Sequence, residues 1–260
     1  LKDISPERKR EELNRILVAD TKYGVENAHY RGMKLIERMG LWQYIIPEVA
    51  DCAGVEQNPK YHKFDVMEHT FRTVLAAPPK VRLPALMHDL GKPYCVRNYG
   101  NMHGHEAAGA NIARFRLGNT GLRYSNDKVE WVARLVGAHM YDMAGTTSEA
   151  KIRLFVAENF DIIDDLVDLI AADTAATGMP HEETEHRFLR VKWQLIEENA
   201  PTSLADLEID GEDVTARGFS GERVGEILKE LLRTCIIDPR LNNAEWLHTR
   251  LDRMAQKEGK

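Results

Sequence analysis

A histidine and an aspartate, His88 and Asp89, stand side by side at the end of an apolar helical run. In the stretch LPALMHDLGKP, the residues Leu86, Met87 and Leu90 predict one buried stripe. The glycine and proline that follow predict the end of this helix. A carboxylate placed where the chain buries hydrocarbon must be paired, hydrogen-bonded or bound to a metal ion. In the alternative interpretation, the two residues cap the helix end and face water.

A second carboxylate, Asp173, lies on the apolar face of another predicted helix. It follows Ile170 by three residues and Leu166 by seven, and residues at these spacings share one helix face. The other aspartates of this helix fall mostly on other faces, as solvated charge. An N-cap role or a salt bridge would also satisfy Asp173 without any metal ion.

Three histidines border apolar helix faces as well. His139 continues the row formed by Val132 and Val136. His69 borders the apolar face of its helix, and His105 begins a helix rich in small residues. A lone histidine in such a place is more often a hydrogen-bonded core residue than a ligand. Together with the two carboxylates, however, these side chains are predicted to point inward from successive helices.

This mixture of imidazole and carboxylate groups is typical of a divalent metal site. Imidazole suits iron, manganese, nickel, cobalt or zinc, and carboxylates keep a site hard enough for manganese or magnesium. Helical bundles hold metal ions with side chains from facing helices. The pattern therefore predicts a divalent ion bound at the end of the apolar helix, and it leaves the identity of the ion open.

The composition predicts an ordinary soluble globular protein that is helical almost throughout. Hydrophobic residues make up 43% of the 260 residues and charged residues 29%, and no strand-like alternation is found. No apolar run approaches the roughly 20 residues of a membrane span, and the charged amino terminus carries no signal-peptide core. Three cysteines without CxxC spacing argue against a cysteine-built zinc site. We therefore expect an all-α, cytoplasmic protein without a membrane partner.

Capping residues and charge add further expectations. Ser5 followed by Pro6 predicts a helix start, Ser125 predicts another, and Gly178 predicts the end of the helix that holds Asp173. A long helix is predicted from about residue 182 to 198.

The net charge of −6 argues against a dedicated nucleic-acid binder, although a local basic groove can operate on an acidic protein.

The residues so far singled out resemble a known signature. His69, the pair His88–Asp89 and Asp173 reproduce the H…HD…D pattern of the HD phosphohydrolase superfamily, and HDLGKP is close to its HD-x-G-K form. The resemblance implies a helical HD-domain bundle in which these four residues bind one metal ion. Lys92, one helical turn after Asp89, could reach a phosphate oxygen. A solvated lysine at a helix end is the other interpretation.

The same resemblance implies places for a second metal ion. His105 and His139 match the positions of additional histidine ligands in two-metal members of the superfamily. Many of those members have adjacent histidines where this chain has Ala138–His139, so the second site is one ligand short. The remaining histidines outside the predicted helices, His62, His103 and His181, are expected to be loop or surface residues.

A narrower resemblance covers nearly the whole chain. GVEQNPKYHKFDVMEHT and GNMHGHEAAGA look like the body of bacterial tRNA nucleotidyltransferases of the CCA-adding and poly(A) polymerase type. LEIDGEDVTARGFSGERVGEILKELL resembles the RNA-binding tail of those enzymes. We therefore expect a neck-like helical segment at residues 1–60, an HD domain at 61–180 and a helical tail at 181–260. Nothing in the chain resembles the nucleotidyltransferase head. We therefore expect a stand-alone relative or a fragment that does not add nucleotides.

The resemblance implies an enzyme that acts on phosphate esters. Phosphatase or 2′,3′-cyclic phosphodiesterase activity is expected, on nucleotides or on RNA 3′ ends, with tRNA as a further candidate partner. Two alternatives stay open. One is a non-catalytic tRNA-binding body in which the histidine cluster is idle, and the other is a hydrolase of free nucleotides without an RNA role.

The tail offers a weak phosphate-binding pattern. Ser220 and Gly221 precede a predicted helix whose first N–H groups could hold a backbone phosphate, with Arg217 and Arg223 on either side. The pattern is weak because any helix N-terminus has such N–H groups and because Glu222 opposes an anion there.

Overall fold

The computed structural model describes residues 4–179 and 187–259, and every regular element within these ranges is helical. The predicted all-α class is therefore confirmed. The first nine α-helices are Pro6–Leu17 (α1), Ala19–Tyr23 (α2), Ala28–Arg38 (α3), Pro47–Asp51 (α4), Val66–Ala76 (α5), Arg82–Met87 (α6), Lys92–Tyr99 (α7), His105–Leu117 (α8) and Asn126–Ala138 (α9). The next six are Glu149–Glu158 (α10), Ile163–Ala176 (α11), Arg187–Glu197 (α12), Gly211–Thr215 (α13), Glu222–Ile237 (α14) and Ala244–Lys257 (α15). Short 3₁₀ turns occur at Trp42–Tyr44, Pro79–Val81, Leu204–Asp206 and Pro239–Leu241.

The helices form two compact units. The first comprises Leu1–Met143 with Asp164–Glu183, and the second comprises Ala144–Ile163 with Thr184–Lys260. In the first unit α1 packs on α3 and α3 on α5, so the segment before residue 60 shares a unit with the HD helices. In the second unit α10 packs against α12 and α14. These bounds differ from the predicted division at residues 60 and 180, which stays a prediction about domains.

The predicted capping residues lie where the helices begin and end. Ser5 accepts a hydrogen bond from the Arg8 backbone N–H, with Pro6 as the first residue of α1. Ser125 caps α9 in the same way. Gly178 follows α11 with a φ of 71°, a left-handed conformation that favours glycine. The helix predicted from residue 182 corresponds to α12, and its predicted first turn, like His181, lies outside the described residues.

The HD turn, residues 88–91, follows α6 and is held in position by closely packed helices. Within the first unit α8 packs along α9, and α6 packs against α5, α8 and α9. Leu86, Met87 and Leu90 are buried, as predicted. Gly91 has a φ of −74°, so it does not end a helix in the left-handed conformation. Pro93 lies in the first turn of α7 and therefore starts a helix instead of stopping one.

Gly91 is instead required by a close approach between two elements. A Cβ atom at Gly91 would lie 2.1 Å from the carbonyl oxygen of His105 and 2.7 Å from the backbone nitrogen of Gly109. These distances are far below van der Waals contact, so a side chain at position 91 would push away the first turns of α8. The small residues of α8 thus allow the HD turn to lie directly against it.

The second unit has a core of its own. Its buried apolar residues come from α13, α14, α15 and the loops that connect them, including Phe219, Leu231 and Leu251. Arg153 on α10 is buried and donates to the Ile236 carbonyl oxygen near the end of α14. Among the described helices, none is long and apolar enough to cross a membrane.

Candidate metal centre

Five segments of the first unit bring their polar side chains to one buried place. All of these side chains belong to residues that are at most 7% exposed. Two helix interiors, the HD turn, a helix start and a helix end each contribute. The residues are His69 in α5, His88 and Asp89 in the HD turn, His105 at the start of α8, His139 at the end of α9 and Asp173 in α11.

The four residues of the predicted first site lie together. The Nε2 atom of His69 lies 2.8 Å from Oδ1 of Asp173 and 3.4 Å from Nε2 of His88. The Oδ2 atom of Asp89 lies 3.2 Å from Nε2 of His88 and 3.5 Å from Nε2 of His69. The structure thus brings together residues that are 104 positions apart in the chain.

The other oxygen of Asp89 faces the two additional histidines. Its Oδ1 atom lies 3.3 Å from Nε2 of His105 and 4.0 Å from Nε2 of His139. Ala138, which stands where many two-metal members of the superfamily have a histidine, offers no ligand atom. Asp89 therefore lies between two groups of donors, one with each of its oxygens.

Three of the four histidines are fixed by their own backbone. The Nδ1 atoms of His88, His105 and His139 lie 2.7, 2.9 and 2.7 Å from carbonyl oxygens three residues earlier in the chain. Each Nδ1–H therefore donates to a carbonyl, and Nε2 is the ring nitrogen that is directed inward. Such an arrangement is typical of histidines that bind metal ions.

The donor atoms fit a divalent metal ion. Within the described residues, the Nε2 atoms of His105 and His139 are buried without a hydrogen-bond partner. A buried polar atom without a partner is costly, and a metal ion would satisfy it. His69, His88 and Asp173 form one group of candidate ligand atoms within 4.8 Å of one another, and Asp89, His105 and His139 form another.

The buried charges strongly perturb one another. Burial alone would raise the pKa of Asp89, but the charges of His88 and Lys92 outweigh it and hold this pKa well below the ordinary value. Burial would lower the pKa of His88, but Asp89 and Asp173 raise it to about 10. Burial lowers the pKa of His139 to about 4. A metal ion must displace the proton of His88 to bind there, so its affinity should rise with pH.

Lys92 is not a solvated lysine. It is 7% exposed, and its Nζ atom donates to Oδ2 of Asp89 and to Oε1 of Gln57, each at 2.6 Å. The solvated interpretation is therefore wrong, whereas contact with a phosphate oxygen stays a prediction. Gln57 was not predicted from the sequence, because it lies in a loop without helical periodicity.

His62 occupies an unpredicted place beside the centre. It belongs to a loop, as expected, but its ring is half-buried and lies edge-on to the ring of His69, with centroids 4.8 Å apart. Burial, with the nearby charge of Lys92, lowers the pKa of His62 to about 4. His103, by contrast, is exposed in its loop, as expected.

The predicted phosphate-binding residues of the tail are close in sequence, but both arginines already form ion pairs with carboxylates. Ser220 and Gly221 are exposed immediately before α14. Arg217 donates to Asp252 at 2.7 Å, and Arg223 donates to Glu258 at 2.6 Å. A phosphate would have to compete with these carboxylates, so the predicted role of the four residues stays a prediction.

The chain matches two family models and is similar to several known proteins. Residues 64–175 match the HD domain, and residues 1–52 match the "Probable RNA and SrmB- binding site of polymerase A". The CC-adding tRNA nucleotidyltransferase of Thermus thermophilus is 35% identical in an alignment of 240 positions that covers 87% of this chain and 52% of that protein. The A-adding tRNA nucleotidyltransferase of Deinococcus radiodurans is 31% identical in an alignment of 222 positions that covers 77% of this chain and 49% of that protein. The chain spans about half the length of the curated relatives it matches. The chain therefore contains an HD domain and is similar to tRNA nucleotidyltransferases over most of its length.

Proposed function

We propose that the buried centre binds divalent metal ions and that the chain hydrolyses phosphate esters. The reaction would be that of a phosphatase or a 2′,3′-cyclic phosphodiesterase, on nucleotides or RNA 3′ ends. The observation that carries this proposal is the position of Asp89, whose two oxygens face two separate groups of buried donors within the HD domain. A single buried carboxylate between two sets of imidazoles has no evident purpose in packing.

Each group of donors has its own task in this proposal. His69, His88, Asp89 and Asp173 hold one ion, and Asp89, His105 and His139 hold a second. A bound divalent ion supplies Lewis acidity that polarises a phosphoryl oxygen and activates water. The mixed donor set suits manganese, nickel, cobalt, iron, magnesium or zinc.

The remaining residues position the substrate. The Lys92 ammonium is held beside Asp89 by Gln57 and donates to a phosphate oxygen as negative charge develops during the reaction. Burial of the surrounding side chains limits bulk water, which strengthens such an electrostatic contact. The three buried free cysteines are consistent with a reducing compartment, and we propose a cytoplasmic location.

A second candidate function is the binding of tRNA without hydrolysis. It is supported by the match of residues 1–52 and by the similarity of the chain to tRNA nucleotidyltransferases. In this case the chain would bind tRNA through its helical body and tail, and the histidine cluster would be structural.

One substitution separates the two candidates. Metal-loaded protein is expected to hydrolyse p-nitrophenyl phosphate or 2′,3′-cyclic AMP, and Asp89→Asn is expected to lower the rate by roughly 100-fold or more, because both groups of donors lose their shared carboxylate. Asp168→Asn, an exposed aspartate of α11, is the matched control and should keep the parent rate. If protein loaded with each of these metals hydrolyses neither ester but binds tRNA, the second candidate is correct.

A further inference from the structure

The four histidines of the metal centre differ in how Nδ1, the outer ring nitrogen, is held. In three of them, Nδ1 donates to a carbonyl oxygen three residues earlier. These three lie at helix ends or in the HD turn. His69 lies inside α5, where the corresponding carbonyl oxygen of Val66 already accepts from the Thr70 hydroxyl at 2.7 Å. Within the described residues, Nδ1 of His69 is buried without a hydrogen-bond partner.

The ring of His62 packs against the ring of His69. The two ring centroids are 4.8 Å apart with an interplanar angle of 81°, and Nδ1 of His62 is also buried without a partner among the described residues. The loop that carries His62 is fixed on both sides. The Lys63 backbone N–H donates to the Thr177 carbonyl oxygen at 3.0 Å, and Gln57 accepts from Lys92.

We infer that His62 is a positioning residue for His69, hydrogen-bonded to its Nδ1 atom so that Nε2 is directed at the metal ion. The inference rests on the proposed metal centre. Two buried nitrogens without partners lie on adjacent rings, and one hydrogen bond between them would satisfy both. The outer nitrogen of a metal-binding histidine is normally held in this way, and His69 is otherwise the exception among the four.

A histidine suits this position better than a simple acceptor. In the tautomer of His69 that donates from Nε2 to Asp173, across 2.8 Å, Nδ1 is an acceptor. With an ion on Nε2, Nδ1 carries the proton and must donate. Neutral imidazole has one donor and one acceptor nitrogen, so His62 can serve either state by changing tautomer.

The binding of Mn²⁺ alone, measured by titration calorimetry, provides the first test. His62→Ala should weaken the tightest Mn²⁺ site by about 10–100-fold, the usual effect of losing such an outer partner. His62→Gln should recover part of this loss, because an amide can also donate or accept. His103→Ala, a loop histidine exposed to solvent, should bind Mn²⁺ as the parent does.

The ring nitrogens of metal-free protein provide the second test. In ¹⁵N histidine spectra, His62→Ala should shift both ring nitrogens of His69 and leave those of His105 in place. Parent-like Mn²⁺ affinity in His62→Ala, or a His69 signal that does not respond to the substitution, overturns the inference. If the parent itself binds no divalent ion, the proposed function fails, whereas the spectra still decide whether His62 bonds to His69.

Discussion

At the scale of single residues, Lys92 stands where a metal ion would also bind. Its ammonium donates to Asp89 Oδ2, the oxygen that faces His69 and His88. Lys92→Met should destabilise metal-free protein by about 3 kcal/mol, because Asp89 loses one of the two buried cations that stabilise its charge. Mn²⁺ should then raise the melting temperature more in this variant than in the parent, since the ion takes over that charge and no longer competes with the ammonium. Thermal denaturation with and without Mn²⁺ measures both effects.

The control for this prediction is another lysine of the same unit. Lys60 is exposed and lies over the ring of Tyr61, so Lys60→Met should change neither the melting temperature nor its response to Mn²⁺. Equal Mn²⁺ responses in the parent and in Lys92→Met would show that the ammonium and the ion do not share Asp89.

The site residues on helices could be predicted from the sequence, whereas the site residues in the loop before α5 could not. Asp173 and His139 were found because each continues an apolar row at helical spacing, and both are buried in the centre. Gln57 and His62 lie in a connection without periodicity, and their place depends on long-range contacts such as Lys63 with Thr177. The close approach at the HD turn was likewise invisible, because a glycine after a helix predicts a helix end.

At the scale of elements, Gly91 determines how α8 meets the HD turn. Gly91→Ala places a Cβ atom 2.1 Å from the His105 carbonyl oxygen, so the start of α8 must move together with His105. We expect a loss of about 3 kcal/mol in unfolding free energy, as for an overpacked core, and one metal ion fewer per chain. Urea denaturation and metal analysis measure these effects. Gly137→Ala on α9 should be mild, since its Cβ would meet Ala110 at an ordinary 3.7 Å.

A buried ion pair joins α2 to α6. Arg82 is 5% exposed and donates from Nη2 to Oδ2 of Asp20 at 2.7 Å. Asp20→Ala should cost about 3 kcal/mol of unfolding free energy at pH 7, because the guanidinium stays buried without its carboxylate. The exposed pair of Arg97 with Asp51 provides the control, and Asp51→Ala should cost less than about 1 kcal/mol.

The contribution of the Asp20–Arg82 pair to the free energy of unfolding should decrease at low pH. Hydrogen bonds from Arg82 lower the pKa of Asp20 from 3.8 to about 2. A depressed pKa stabilises the folded state above the unfolded-state value, and this contribution is lost as the pH falls through the folded-state value. The difference between the parent and Asp20→Ala should therefore shrink between about pH 4 and pH 2. A difference that stays constant in urea denaturation at pH 7 and pH 3 would contradict this assignment.

At the scale of the whole molecule, hydrolysis and RNA binding should depend on different residues. The net charge of −6 means that RNA must be bound by a local basic surface. Arg223 is partly exposed, and its partners Glu226 and Glu258 are exposed or nearly so. Exposed ion pairs contribute about 0–1 kcal/mol, so a phosphate can replace these carboxylates at little cost. Arg217 is held more firmly, because it also donates to the Asp213 carbonyl oxygen.

We therefore expect the tRNA affinity to depend on the salt concentration and on Arg223 in the tail, but not on the residues of the metal centre. The logarithm of the affinity is expected to fall linearly with the logarithm of the salt concentration. Arg223→Ala should reduce the steepness of that line by about 1, whereas Arg223→Lys should keep it, because Lys retains the phosphate-neutralising charge. Asp89→Asn should leave both the affinity and the slope unchanged, since it lies in the buried centre. Filter-binding titrations at several salt concentrations measure all three variants. An unchanged slope in Arg223→Ala would remove the tail arginine from the interface, and a loss of tRNA affinity in Asp89→Asn would place the RNA at the metal centre itself.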